Sequence, residues 1–288
     1  MTQLVEIDAL LRRKSLIDDA LEARLPGEMV EPTRVHGAMR YCTLGSGKRL
    51  RPLIATAVGE LAGGDSSAVM DAACAIEFVH AASLILDDLP SMDNASERRG
   101  QPSTHVVYGE ATAILAAMGL IALSFDLIAR NAETCGRPES AGPAVRYLAN
   151  AIGTSGIIGG QHVDLDLTDR TASIEQLESA YHQKAGALFL AAAIMPAHIL
   201  GFSESQIHSL ERYAACVGMA LQITDDLVDA TTPMEDAGKT TFTTHLGVDG
   251  AKDRVTQAVA GAVEALVEFG DRAATLEQIA RLLLMRVR

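Results

Sequence analysis

Apolar residues recur at helical spacing from the start of the chain. Leu4, Ile7, Leu10 and Leu11, then Ile17, Leu21 and Leu25, follow a 3.6-residue period, and Val69, Ala72, Ala73, Ile76, Val79 and Ala82 repeat it. Breakers separate these stretches at Pro26-Gly27, Gly45-Ser46-Gly47, Gly63-Gly64, Gly136-Arg137-Pro138, Gly159-Gly160 and Thr232-Pro233. No long alternating segment rich in Val, Ile and Thr marks a strand. The longest polar connections, 135–143 and 166–173, are short enough to join helices. The pattern predicts one all-α domain over 1–288, a single large bundle of about ten core helices. The uncharged run 185–203 has the length of a membrane span, but it holds Pro196, His198 and Gly201 and is rich in Ala. It reads as a buried central helix, so no stable membrane insertion is expected; the run 111–125 reads as too short to span.

Composition sharpens this picture. Hydrophobic residues make up 48% of the 288, aromatics only 4%, and there is no Trp, so the core must be built from Ala, Leu, Ile and Val. Ala and Leu favour helix, and a chain this apolar is not disordered. The net charge of −13 argues against a nucleic-acid partner, whose binding needs Lys and Arg against phosphates. It leaves room for a local basic pocket. Cys42, Cys74, Cys135 and Cys216 form no CxxC pair and read as reduced thiols. The opening MTQLVEIDALLRRK has no apolar block of a secretory signal. Together these predict a cytoplasmic protein.

Two segments join an apolar helix to clustered Asp. Leu84-Ile85-Leu86 runs into Asp87-Asp88, with Pro90 and then Asp93 close behind; Leu221-Gln222-Ile223-Thr224 runs into Asp225-Asp226, with Asp229 after them. Asp225 and Asp229 are four apart, and with Gln222 they share a helix face. Pro90 should end or kink its helix, so that an irregular turn brings Asp93 back toward Asp87. One such motif is weak evidence and could be a solvated helix end. Two of them beside apolar runs crowd carboxylates that repel one another and raise each other's pKa unless a cation is present. Magnesium, which takes a few carboxylates plus substrate phosphate, fits that need.

Cations are also clustered. Gly45-Ser46-Gly47-Lys48-Arg49-Leu50-Arg51-Pro52 places three at a glycine-rich helix entry; a solvated basic turn and an anion site fit it equally well. Glu97-Arg98-Arg99-Gly100 follows the first acidic motif, and Lys184 precedes the long apolar run. His80 lies seven residues, two turns, before Asp87, where a structural and a functional role weigh equally. A substrate that needs magnesium, several cations and a long apolar wall has a diphosphate head and a hydrocarbon tail.

At this point the chain resembles the trans-prenyl diphosphate synthases over nearly its whole length. The blocks GSGKRLRP, HAASLILDDLPSMD with ERRGQPSTH, GGQHVDLD, YHQKAGALF and LQITDDLVDATT with EDAGKTTF stand in that family's order. Within it the chain is most similar to bacterial geranylgeranyl diphosphate synthases, which share the four residues between Asp88 and Asp93. The resemblance implies helices around a deep cavity, a homodimer, and three magnesium ions with substrate bound. It assigns Lys48, Arg51, His80 and Arg99 to isopentenyl diphosphate, and Arg98, Lys184 and Lys239 to the allylic diphosphate. It assigns Asp87, Asp88, Asp93, Asp225, Asp226 and Asp229 to metal, and Gln161 and Gln222 to the reacting centre. Ala185 departs from the family's usual Thr, Asn94 and Ser96 thin the acids after Asp93, and the stretch between Asp229 and Lys239 is short.

The implied activity joins isopentenyl diphosphate to dimethylallyl, geranyl and farnesyl diphosphates by ionisation, condensation and elimination, giving geranylgeranyl diphosphate. In the related farnesyl synthases the position of Ala82 is typically aromatic; here Ala81, Ala82 and Ser83 are all small. If another residue sets the floor, Leu115 or Met118 on the neighbouring apolar run is the candidate. The rival readings are a farnesyl or geranyl diphosphate synthase, a class I terpene cyclase, and a non-catalytic subunit of a heteromeric synthase. Both Asp motifs argue against the last, and Lys48-Arg49-Leu50-Arg51 with Arg98-Arg99 argues against a cyclase.

Overall fold

Ala-rich sequence makes thin helices that pack closely, and the chain uses this throughout. A computed structural model describes residues 2–166, 173–229 and 241–286. Its helices are α1 (Thr2–Arg24), α2 (Thr33–Leu44), α3 (Leu50–Leu61), α4 (Met70–Asp87), α5 (Thr104–Tyr108), α6 (Glu110–Thr134) and α7 (Ala141–Ile152), followed by α8 (Ile157–Asp166), α9 (Ile174–Tyr181), α10 (Ala187–Leu200), α11 (Glu204–Asp229), α12 (Phe242–Ala265) and α13 (Ala274–Met285). Among the described residues the strands are two short ones, Glu97–Arg98 and Gln101–Pro102, paired antiparallel. The architecture is the expected all-α one.

α10 lies at the centre, packed on α3, α4, α7 and α11. Its residues from Ala191 to Ala197 are all buried, as expected of a helix apolar on every side. The central run departs from the prediction at its edges. A π-turn, His182–Gly186, joins α9 to α10, and Ser203 belongs to the start of α11, where its Oγ accepts from Gln206 N at 3.3 Å. The 135–143 connection is also shorter than expected, because a 3₁₀ turn at Pro138–Ser140 leads into α7 at Ala141.

α4 carries much of the later chemistry, and α6 fixes its start. Asn131 Oδ1 accepts from Ala72 N at 2.8 Å, satisfying one of the orphan donors of the first turn, and its Nδ2 donates to Ala68 O at 2.6 Å. Further along, Ser124 Oγ donates to Ala75 O at 2.9 Å. Two polar residues of α6 thus register it against α4 in an otherwise apolar contact.

α6 also corrects the sequence reading. The run 111–125 continues to Thr134, and the whole helix is long and apolar enough to cross a membrane by length and composition, as are the helices Ser66–Asp87 and Ile174–Leu200. The last two are mostly buried in the bundle, whereas α6 is less so. Ile114, Leu115 and Met118 form an outward stripe on α6; Leu115 is 53% and Met118 61% exposed. Neither faces the interior of the described chain, so neither forms the floor of an internal tunnel there.

Asn131→Ala removes the cap of α4 and leaves Ala72 N buried without its partner. The expected loss is about 1–3 kcal/mol. Thermal unfolding checks this; an unchanged Tm would show that the cap does not hold α4.

Candidate active site

The C-terminal end of α4 is the centre of the site. α4 stops at Asp87, and the turn through Pro90 folds back so that Asp93 N donates to Asp87 O at 2.9 Å. This is the irregular return that the proline predicted. Asn94 follows in the left-handed region, φ 50°, and its N–H donates to Leu89 O at 3.0 Å. Asn adopts that conformation more readily than most residues, which gives the missing acid at this position a backbone role. Burial raises the Asp87 carboxyl to about 6, with Asp93 and Asp88 adding to the rise and Lys184 and Arg98 opposing it.

The paired aspartates diverge. Asp88 is only 3% exposed and accepts from Arg98 Nε at 2.8 Å. Asp226 is likewise buried; its Oδ2 accepts from Phe242 N at 3.0 Å, capping the start of α12, and its Oδ1 lies 3.4 Å from Gln222 Nε2. Both were expected among the metal ligands, and both have other partners here. Asp225 is the accessible member of its pair, 2.8 Å from Arg286 and 3.8 Å from Lys48. The side chain of Asp229 and all of Lys239 lie outside the described residues.

The cations fall into two groups. Lys184, in the π-turn, donates to Asp164 Oδ2 on α8 at 2.6 Å. Gly160 allows this approach, since a Cβ there would strike the backbone nitrogen of Lys184. Gln161 is buried beside it, and neither of its amide atoms has a hydrogen-bond partner. Lys184 and Arg98 both act on Asp87.

The second group gathers Lys48, Arg51, His80 and Arg99. Arg51 lies 4.5 Å over the Phe189 ring, and burial lowers it to about 10. Arg99 Nη1 donates to Ser46 O at 2.9 Å, and its Nη2 is 3.4 Å from His80 Nε2. Burial, then Arg51 and Arg99, hold His80 well below the ordinary imidazole range, so it is neutral at neutral pH. His80 thus stands within a cluster of cations. The third cation of the glycine-rich entry, Arg49, turns away into the interior; only Lys48 and Arg51 serve this group.

Asp164 and Arg286 were not singled out in the sequence. Asp164 follows Gln161 by three on the same helix, a spacing that could have flagged it; Arg286 pairs with a residue 61 positions away, and no local signal reveals it.

Among the described residues no three His, Cys, Asp or Glu side chains form a ready cage for an ion. Asp87, Asp93 and Asp225 are hard oxygen donors on two separate elements. Such a set suits a divalent cation that completes its shell with water and phosphate oxygens. The arrangement sets two groups of cations beside carboxylates of the kind that bind hard divalent cations.

Because the carboxyl of Asp87 is raised, folded protein keeps a proton between about pH 4 and 6 that the unfolded chain releases. Its contribution to stability is lost as pH rises through about 6. Without divalent cations, Asp87→Asn should be more stable than wild type at pH 7.5 by about 1–3 kcal/mol, the gap closing toward pH 4. Thermal melts across that range check this; a variant less stable at pH 7.5 would contradict the burial of a repelled carboxylate.

The Polyprenyl synthetase family model matches residues 32–279. Geranylgeranyl pyrophosphate synthase 9, chloroplastic, of Arabidopsis thaliana is 38% identical over 273 residues, which are 90% of this chain and 75% of that protein. The heterodimeric geranylgeranyl pyrophosphate synthase large subunit 1, chloroplastic, of the same plant is 38% identical over 91% of this chain and 70% of its own. The solved structure of an FPP/GFPP synthase from Zymomonas mobilis superposes with a TM-score of 0.89 at 33% identity, covering 98% of this chain and 99% of that one.

Proposed function

The chain belongs to the polyprenyl synthetase family and is a prenyltransferase, and from that premise we propose that it builds geranylgeranyl diphosphate from isopentenyl diphosphate and the allylic primers dimethylallyl, geranyl and farnesyl diphosphate. The observation that carries this reading is the meeting of two cation groups and two carboxylate groups around the end of α4, above a stretch of that helix with only small side chains.

Lys48, Arg51 and Arg99 hold isopentenyl diphosphate, and neutral His80 contributes a hydrogen bond there without adding charge. Arg98 and Lys184, poised beside Asp87, hold the allylic diphosphate. Magnesium, three ions with both substrates present, would supply Lewis-acid neutralisation of the departing diphosphate, held by Asp87, Asp93 and Asp225. The allylic C–O bond breaks, the double bond of isopentenyl diphosphate attacks the freed carbon, and a proton is lost. No side chain of the site is an evident base for that proton, so the departing diphosphate takes it. Fixing the two substrates on separate cation groups supplies the positioning. Gln161 and Gln222 offer amide dipoles near the reacting centre. The apolar walls keep water from the cation.

Chain length follows from α4. Ala82 is five residues before Asp87, roughly 7–8 Å down the axis, and with Ala81 and Ser83 it puts no large side chain at that depth. Ser83 spends its hydroxyl on His80 O at 2.9 Å. Two Arabidopsis relatives bear the twenty-carbon name, while the Zymomonas neighbour is an FPP/GFPP synthase, so α4 decides between them in this reading. Purified protein given isopentenyl diphosphate, magnesium and each primer in turn should yield mainly the twenty-carbon product after dephosphorylation and chromatography. Ala82→Phe should shift the product to fifteen carbons. A variant that still made mainly twenty carbons at the wild-type rate would move the floor elsewhere.

We also assign the outward stripe of α6 to a second copy of this chain, giving a homodimer in the cytoplasm. The exposed Ile114, Leu115 and Met118 and the four free cysteines support this. Met118→Glu should turn a dimer into a monomer in light scattering; a wild-type monomer would refute the assignment.

A further inference from the structure

Arg49 behaves unlike the cations on either side of it. Its side chain is 3% exposed. Nη1 donates to Glu77 Oε1 at 2.7 Å, Nε to Asp18 Oδ1 at 2.7 Å, and Nη2 to Gly45 O at 2.9 Å. One guanidinium thus joins α1, through Asp18, to α4, through Glu77, and to the loop that bears Lys48. Its backbone is left-handed, φ 53° and ψ 31°, a conformation unfavourable for any residue with a Cβ. The strained turn sends Lys48 toward Asp225 while Arg49 enters the interior.

The loop is gripped on both sides. Arg49 takes the carbonyl of Gly45 and Arg99 that of Ser46, and Gly47 lies between the two guanidiniums. A Cβ on Gly47 would stand 3.0 Å from Arg49 Nη1 and 3.1 Å from Arg99 Nη1. Glu77 precedes His80 by three residues on α4, so the same contact registers the loop against the helix that carries His80 and Asp87.

We propose that Arg49 is a positioning residue for the isopentenyl diphosphate site: its buried pairing with Glu77 and Asp18 locks the 45–48 loop so that Lys48 and Arg51 converge with His80 and Arg99. The proposal rests on the assignment of those four residues to isopentenyl diphosphate. Both carboxylates face Arg49, so its own charge is spent within the protein. It sets where the other cations stand and is not itself a ligand. The allylic group of Arg98 and Lys184 is held by Asp88 and Asp164 instead, so loosening Arg49 should spare it.

The test replaces the buried pair by apolar residues, Arg49→Met with Glu77→Leu, an exchange that buried ion pairs often tolerate. Glu77→Gln, which keeps the shape and weakens the grip, is the second variant. Isopentenyl diphosphate binding without metal is measured by calorimetry, together with thermal unfolding and the KM of each substrate. The expected result is a 10- to 100-fold rise in the Kd and KM for isopentenyl diphosphate. KM for farnesyl diphosphate and kcat should stay within about threefold, and Tm within a few degrees for at least one variant. Wild-type affinity for isopentenyl diphosphate in a folded variant overturns the proposal. So does an equal loss toward both substrates that tracks a fallen Tm. Wild-type protein that neither binds nor consumes isopentenyl diphosphate would sink the underlying site assignment, and the proposal with it.

Discussion

Charges of both signs crowd the end of an alanine-rich bundle, and most of what is distinctive in this structure follows from keeping them in place. Several are tethered to an opposite charge: Asp88 to Arg98, Asp164 to Lys184, Asp225 to Arg286, Glu77 to Arg49. Such pairs add little net stability, because desolvation offsets most of the attraction in the buried Glu77–Arg49 pair and solvent screens the part-exposed ones. What they do is fix position. Without them, the carboxylates would repel and the guanidiniums would swing to solvent. Asp87 shows the cost of leaving a carboxylate in this setting, since burial lifts it to about 6.

The tethers also order the reaction in the proposed function. Arg98 and Lys184 are already partly neutralised, so an incoming diphosphate must share them with Asp88 and Asp164. That lowers the affinity for a lone anion and leaves room for a cation to enter with it. The isopentenyl group differs. His80 is neutral, and Arg51 meets an aromatic face and keeps Nε without a partner. Free donors there favour an anion that binds on protein cations alone. In this reading the two diphosphate sites differ in character because Arg98 and Lys184 are each closely paired to a carboxylate, whereas of the isopentenyl cations only Lys48 stands near one, Asp225 at 3.8 Å.

Helices were legible because Ala and Leu at a 3.6-residue period leave few alternatives, and the return of Asp93 was legible because proline cannot continue α4. The paired aspartates diverge in their partners for a geometric reason. Neighbours on a helix point about 100° apart. One member of each pair therefore faces the site while the other meets Arg98 or caps α12. A linear motif does not say which. The extent of α6 was hidden by Asp126 and Arg130, which end the uncharged run but pair at 2.8 Å along a continuing helix. Arg49 looked like one of three equivalent cations, because its partners lie 31 and 28 residues away in sequence. Long-range pairing leaves no periodic trace.

α4 joins these levels. At its start, Asn131 and Ser124 of α6 fix its register by hydrogen bonds to its backbone. In its middle, Glu77 ties it to the loop bearing Lys48, and His80 meets Arg99 one turn later. At its end stand Asp87 and Asp88. From Glu77 to Asp87 is ten residues, about 15 Å of rigid rise. In the proposed function His80 and Asp87 are thus spaced by a rigid helix rather than by a loop, while Lys48 reaches across to within 3.8 Å of Asp225. Between His80 and Asp87 stand the small side chains of Ala81, Ala82 and Ser83, the two alanines buried in the core. In the proposed function, a helix that holds charged groups along one length leaves room for a growing hydrocarbon only where it carries almost no side chain at all.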